Sequence, residues 1–220
     1  MNVATITRYL NGMISVSSFE LEYNKVKKYF SIKSMEILIC SLCGGGVEYR
    51  DSVFRYVKNM LSETRRFLLR RLRCQICGKL HRELPDIIQP FKHYESDVIQ
   101  SVIDDSEDAK KCGADNRTMR RWKSEFIEAK PVLEQKLASV YARRTEETVP
   151  LEATTMILDS IKSKYGRWLP FVIGLLTNSG HKICTEFALC HNCKSDKVGS
   201  AIKIIAERTD KIVKTIKDTS

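Results

Sequence analysis

No stretch of this 220-residue chain is apolar for long enough to cross a bilayer. The longest clean run, Leu169 to Leu176, has eight residues, far short of the roughly 20 that a membrane helix needs. The opening MNVATITRYLNGMISVSSF lacks a basic segment feeding an apolar one, so a secretory signal is not expected and a cytoplasmic location is. Repeats of solenoid length and low-complexity tracts are missing. So are the usual marks of catalysis. There is no Ser/His/Asp grouping, and GGGVEYR (residues 44–50) has glycines without the Lys-Ser/Thr that grips phosphate. Glu83, Asp86, Asp97, Asp104 and Asp105 are scattered over a linker and helix ends, where capping accounts for them. An RNase-H-like transposase needs three carboxylates on a sheet of its own. The roughly 90 residues after the RRW segment (Arg120 to Trp122) and the helix it belongs to are mostly helical in pattern and leave no room for it. A non-enzyme is expected.

What the chain has in excess is positive charge and cysteine. Lys and Arg number 37 against 27 Asp and Glu, a formal net charge of +10 with a pI near 9.2. Such a balance favours a polyanionic partner, nucleic acid first and an anionic membrane surface second. At 43% hydrophobic and 29% charged, the chain builds a core, and its length allows one or two small domains. The eight cysteines, in a chain expected in a reducing compartment, point to metal ligation ahead of disulfides.

Spacing sharpens that point. Cys40-x-x-Cys43 and Cys74-x-x-Cys77 form two knuckles, each able to aim two sulfurs at one ion. Together they supply the four thiolates of a closed, structural Zn2+ site with no open position for catalysis. Gly44 and Gly78 directly follow the second cysteine of each pair, where the turn needs a residue tolerant of positive φ. Two buried disulfides, a redox pair or unrelated core cysteines are the competing readings, though the βαβ context of a redox CxxC is missing. His81 stands close enough to the second knuckle to donate to a thiolate or compete as a ligand, and His93 lies beyond the same linker. A second candidate metal set, His181, Cys184, Cys190 and Cys193, with His191 nearby, has knuckle-like spacing but no glycine turns. Cys112 stands alone and is expected to pack in the core.

The segment RRLRCQICGKLHRELPDIIQPFKHY (residues 70–94) resembles the signature of a bacterial family, common in Firmicutes, catalogued as a domain of unknown function. The resemblance runs from the first knuckle through the RRW segment, with a weaker echo in NSGHKICTEFAL (residues 178–189). Members of that family resemble the N-terminal zinc-ribbon and helix-turn-helix parts of insertion-sequence transposases. The resemblance therefore implies mobile-element or DNA-binding ancestry and supplies no catalytic residue.

The expected architecture is mainly α with a small β zinc ribbon, a helix-turn-helix and a C-terminal helical region. An N-terminal segment (1–35), whose most helical piece is YNKVKKYF, precedes the ribbon (36–90) and the helix-turn-helix (91–130). In that unit Ser96 caps a first helix, Ser106 a second ended by Gly113, and Asp115 or Asn116 a third that stops before Pro131. A linker (131–150) and a helical region (151–220) follow. The tail carries Val198, Ile202, Ile205, Ile212 and Ile216 in steps of three and four, a seam for docking on the core or for dimerisation.

On the third helix Met119, Trp122 and Phe126 share one face. Arg117, Arg120, Arg121 and Ser124 fall opposite, with Asn116 at the start. Arginine suits bidentate reading of guanine or clamping of phosphate, so double-stranded DNA is the expected partner. Arg65, Arg66, Arg70, Arg71, Arg73 and Arg82 could extend the positive surface, although strand alternation splits Arg70 from Arg71. The rivals are a zinc-stabilised interaction module binding a recombinase, a transposase or itself, and a nuclease or transposase fragment active only with a partner subunit.

Overall fold

The computed structural model describes residues 12–145 and 157–180. Its N-terminal half is a six-stranded, curled mixed sheet, which overturns the expectation of a mainly helical protein with a small ribbon. The strands are β1 (Met13–Val16), β2 (Phe19–Asn24), β3 (Tyr29–Ser34), β4 (Val47–Lys58), β5 (Thr64–Cys74) and β6 (Leu80–Pro85). YNKVKKYF, read as helix, is a β2–β3 hairpin whose turn puts Lys28 at φ +51°. Its three lysines, Lys25, Lys27 and Lys28, all sit in the exposed turn.

β5 is the strand on which the sheet depends. It pairs antiparallel with β4 from Val47↔Cys74 to Lys58↔Thr64. Its first half also pairs parallel with β3 at Phe30↔Phe67, and its last residues pair antiparallel with β6 at Leu72↔His81. β1 closes the edge, parallel to β6. The inward residues of TRRFLLRRLRC, Phe67 and Leu69, are buried with Ile32, Val57, Leu84 and Ile88. On the opposite face the knuckle end is covered, with Leu72, Cys74, His81 and Glu83 buried, whereas Phe54 and Tyr56 towards the hairpin end are exposed.

Four helices are described: α1 (Ser96–Ile103), α2 (Asn116–Thr145), α3 (Ile157–Lys164) and α4 (Trp168–Asn178). The expected second helix of the helix-turn-helix is a 3₁₀ turn over Glu107–Lys111. α2 does not stop before Pro131; it runs through it for 30 residues. A helix-interior proline costs about 3 kcal/mol. Leu133, Leu137 and Val140, buried just beyond it, each contribute about 1.5–3 kcal/mol, so packing outweighs the lost hydrogen bond. Val98, Ile99 and Val102 of α1 meet Trp122 and Phe126 of α2, Leu158 and Ile161 of α3, and the apolar run of α4 in one core. Cys112 packs against it as expected.

Hydrogen bonds tie the helices to the sheet. The side chain of Asn178 on α4 both accepts from Ser15 N–H and donates to Ser15 C=O on β1, each at 2.9 Å. Lys58, the last residue of β4, exchanges backbone bonds with His93 and Glu95 just before α1. Inward-facing Arg55 donates through Nη2 to the carbonyls of Gln89 and Lys92 at 2.8 and 2.7 Å. It thereby holds the turn in which Phe91 sits at φ +59°. Among the described residues no helix is long and apolar enough to cross a membrane.

Candidate metal centre

The two knuckles are built alike, because each must reverse the chain within four residues while keeping two sulfurs on one side. In the first, Gly44 N–H donates to Cys40 C=O (2.9 Å) and Cys40 N–H to Gly45 C=O (2.8 Å). In the second, Gly78 N–H donates to Cys74 C=O (3.0 Å) and Cys74 N–H to Lys79 C=O (2.9 Å). Gly44 and Gly78 lie at φ +72° and +67°, the left-handed region their positions required. Backbone amides also point at sulfur: Leu42 N–H at Cys40 Sγ and Cys77 N–H at Cys74 Sγ, both at 3.4 Å.

The four sulfurs lie within 4.8 Å of one another. Cys40 and Cys77 approach to 3.7 Å, and Cys43 and Cys74 to 3.4 Å. Zinc at about 2.3 Å from each sulfur sets tetrahedral S···S separations of roughly 3.8 Å, so the cluster fits a structural zinc. A disulfide would need S–S near 2.05 Å, and all four cysteines are free thiols. The site is asymmetric in its exposure: Cys40 and Cys74 are buried, Cys43 half-buried, Cys77 exposed. Burial pushes the Cys40 thiol up to about 12 against the opposing Leu42 and Cys43 amides. At Cys74 burial also raises the pKa, but the amides of Cys77 and Ile76 and the neighbouring Cys43 and Cys77 thiols outweigh it, bringing it down to about 7. A bound cation reverses the cost at Cys40, since the thiolate is the ligand.

His81 belongs to the same centre. Its Nε2 lies 3.1 Å from Cys40 Sγ in a buried environment, and burial lowers its pKa, favouring the neutral ring. A neutral ring with hydrogen on Nε2 donates to a Cys40 thiolate. A side chain at Gly12 would strike the ring, since a Cβ there would come within 2.2 Å of His81 Nδ1. The arrangement can hold an ion and shape its surroundings; four sulfurs leave no position for substrate.

Most of the arginines expected to spread positive charge from the ribbon are engaged within the protein. Arg70 forms a two-point pair with Glu83, Arg71 pairs with Asp51, and Arg65 reaches Glu95 at 2.7 Å. Arg66 lies over the Phe54 ring, and Arg82 is half-buried with its pKa lowered by burial. The carboxylate partners stand on other strands or at a helix start, where no local pattern announces them. Arg73 is exposed.

Residues 40–122 match the family model described as Domain of unknown function (DUF6431). The matched span begins at the first cysteine and ends at Trp122, taking in both knuckles, the sheet between them and the start of α2. A domain of unknown function is what the resemblance of residues 70–94 implied; no link to transposases accompanies the match. No curated protein and no solved structure matches the chain.

The helix candidates divide as the periodicity required. Trp122 and Phe126 are buried and Met119 packs against the same core. Asn116, Arg117, Arg120, Arg121 and Ser124 are all exposed. Asp115 is the cap: its carboxylate accepts from Thr118 N–H at 2.8 Å and Thr118 Oγ1 at 2.7 Å. Arg121 has Glu125 at 3.6 Å, and Ser124 Oγ donates to Glu128 at 3.0 Å. The second candidate metal set, His181, Cys184, Cys190 and Cys193, and the tail seam from Val198 to Ile216 lie outside the described residues.

Proposed function

We propose that this protein is a non-catalytic, zinc-stabilised binder of double-stranded DNA. Cys40, Cys43, Cys74 and Cys77 hold one structural zinc, which fixes the ribbon end of the sheet. The first turns of α2 approach the major groove, and Lys and Arg around them contact phosphates. One observation carries the reading: α2 buries Met119, Trp122 and Phe126 against α1 while Asn116, Arg117, Arg120 and Arg121 face solvent at its N-terminal end. Arginines on the exposed face at a helix start can reach guanine edges or clamp phosphates. The positive balance of the whole chain agrees with a polyanionic target. A regulator, or the targeting component of a mobile element, is the biological role that such a protein would fill.

The test is a salt titration of duplex binding, followed by selection from a random duplex pool. Affinity should fall steeply between low and physiological salt, with a log–log slope of about −0.9 per phosphate contact. The variant R120A/R121A should lose about 1–3 kcal/mol for each base contact it removes. Unchanged duplex affinity in that variant would overturn the recognition-helix assignment.

A further inference from the structure

A second face of the molecule has a different chemistry from α2. On β4, Tyr49, Phe54 and Tyr56 are 60%, 40% and 55% exposed. They share one side of the sheet: Phe54 and Tyr56 are two residues apart, and the Tyr49 hydroxyl lies 3.2 Å from Ser52 Oγ. Tyr29 of β3 meets Phe54 edge-on at 5.5 Å. The Arg66 guanidinium lies over the Phe54 ring at 3.5 Å and reaches Tyr56 at 5.9 Å. Three large rings left in water on one strand, with a cation stacked among them, are unusual for a solvent face. None of the three belongs to either hydrophobic core, and Arg66 lies over one face of Phe54.

Tyr56 also lines a groove of about 580 Å³ between the sheet and α2. Lys58 and Thr64 stand beside it on the sheet wall, and Thr118, Arg121 and Trp122 form the helix wall. Its floor is the turn holding Phe91 in the left-handed region at φ +59°, a conformation that bulky residues rarely adopt without over-determination by their surroundings. Three cations, Lys58, Lys92 and Arg121, line the groove against two carboxylates, Asp115 and Glu125. The aromatic platform therefore opens directly onto the N-terminal end of the proposed recognition helix.

We propose that this platform and groove bind an unpaired strand of DNA, with bases stacked on Phe54 and Tyr56 and the backbone led by Arg66, Lys58 and Arg121. Aromatic rings interleaved with cations suit single strands, because every base has a stacking face and every nucleotide a negative charge. A duplex offers no such face, since its bases are stacked on one another. The choice of DNA over RNA rests on the duplex reading above; the stacking platform does not. The protein would then engage DNA where a duplex meets a single strand.

The experiment measures fluorescence anisotropy of the full-length protein with a thymidine oligomer of about 12 nucleotides, a uridine oligomer of the same length and a duplex. F54L and Y56L keep apolar bulk but remove the rings, and both positions are exposed, so circular dichroism should confirm an intact fold. Each should weaken thymidine-oligomer binding by about 5- to 100-fold and leave duplex affinity unchanged. Y56F should bind like the native protein. R117A/R120A, which leaves Arg121 in the groove, should show the opposite pattern, so failure of the helix reading and failure of this one are separable. Thymidine-oligomer binding that is absent, or insensitive to F54L and Y56L together, overturns the proposal. A change of oligomeric state in those variants, without a change in oligomer binding, overturns it in favour of contact between copies. Tighter binding of the uridine oligomer overturns the choice of DNA.

Discussion

Replacing Arg70 with alanine should destabilise the protein more than replacing its partner, Glu83. Arg70 Nε and Nη2 donate to the Glu83 carboxylate at 2.5 and 2.9 Å, so either change removes the same two bonds. What differs is the group left behind. The Glu83 side chain is 1% exposed and that of Arg70 is 35% exposed. Without Arg70, a carboxylate is stranded away from water, and an uncompensated buried charge costs about 3–5 kcal/mol. Without Glu83, the guanidinium already reaches solvent. The loss is then a charge-assisted bond of about 1.5–3 kcal/mol, reduced by solvent screening. A domain with about 5–15 kcal/mol of net stability tolerates the second change and is close to failing under the first. Urea unfolding of zinc-loaded protein, followed by circular dichroism, gives both values. R70A should be the least stable, E83A intermediate, and the double variant R70A/E83A more stable than R70A alone. Equal costs for the two single changes, or a larger cost for E83A, would refute the premise that unequal access to water sets these energies.

Four further outcomes are expected. Serine at Cys40 or Cys74 should remove one equivalent of zinc relative to the native protein and loosen the sheet; elemental analysis showing unchanged zinc would count against the tetrathiolate site. H81A should weaken zinc retention by about 10- to 100-fold through loss of the donor to Cys40, measured by competition with a chromophoric chelator, and unchanged retention would reduce His81 to a packing residue. W122A should cost about 3–5 kcal/mol by emptying the core between α1 and α2, seen as a lowered urea midpoint. Bonding to Thr118 lowers the Asp115 pKa from 3.8, so its cap contribution is present above that value and is lost as pH falls through the lower, folded one. D115A should therefore be less stable than the native protein at pH 7, with the gap closing in acid below about pH 4; a gap independent of pH would remove the carboxylate from the cap.

The parts of this structure that were legible in the sequence are those fixed by short-range rules. A two-residue gap between cysteines, a glycine after each knuckle and apolar residues at three- and four-residue steps each express local geometry, and Cys40, Gly78 and Trp122 stand where that geometry put them. The sheet was not legible, because its pairing is non-local. β3 joins β5 with the first knuckle and β4 between them in sequence, β1 joins β6 with four strands between them, and nothing near Met13 announces Arg82 as its neighbour. The arginines of β5 misled for the same reason: Glu83, Asp51 and Glu95 neutralise them from other elements. His81 was visible as a candidate donor only because it follows the second knuckle closely; that it reaches the first knuckle's Cys40 is a consequence of folding. Pro131 shows the converse, a strong local signal overruled by the apolar residues that α2 buries beyond it.

The position of Cys74 as the last residue of β5 has a consequence for how the sheet finds its register. Sliding β4 along β5 by one residue would turn every side chain to the opposite face, whereas a slip of two would keep the faces and only exchange partners along the strand. Only one offset brings the sulfurs of both knuckles within bonding distance of a single ion. A metal at the open end of the hairpin would thus act as a gauge of alignment, rewarding the correct offset and no other. Since β3 and β6 both add to β5, an alignment settled there is inherited by the rest of the sheet.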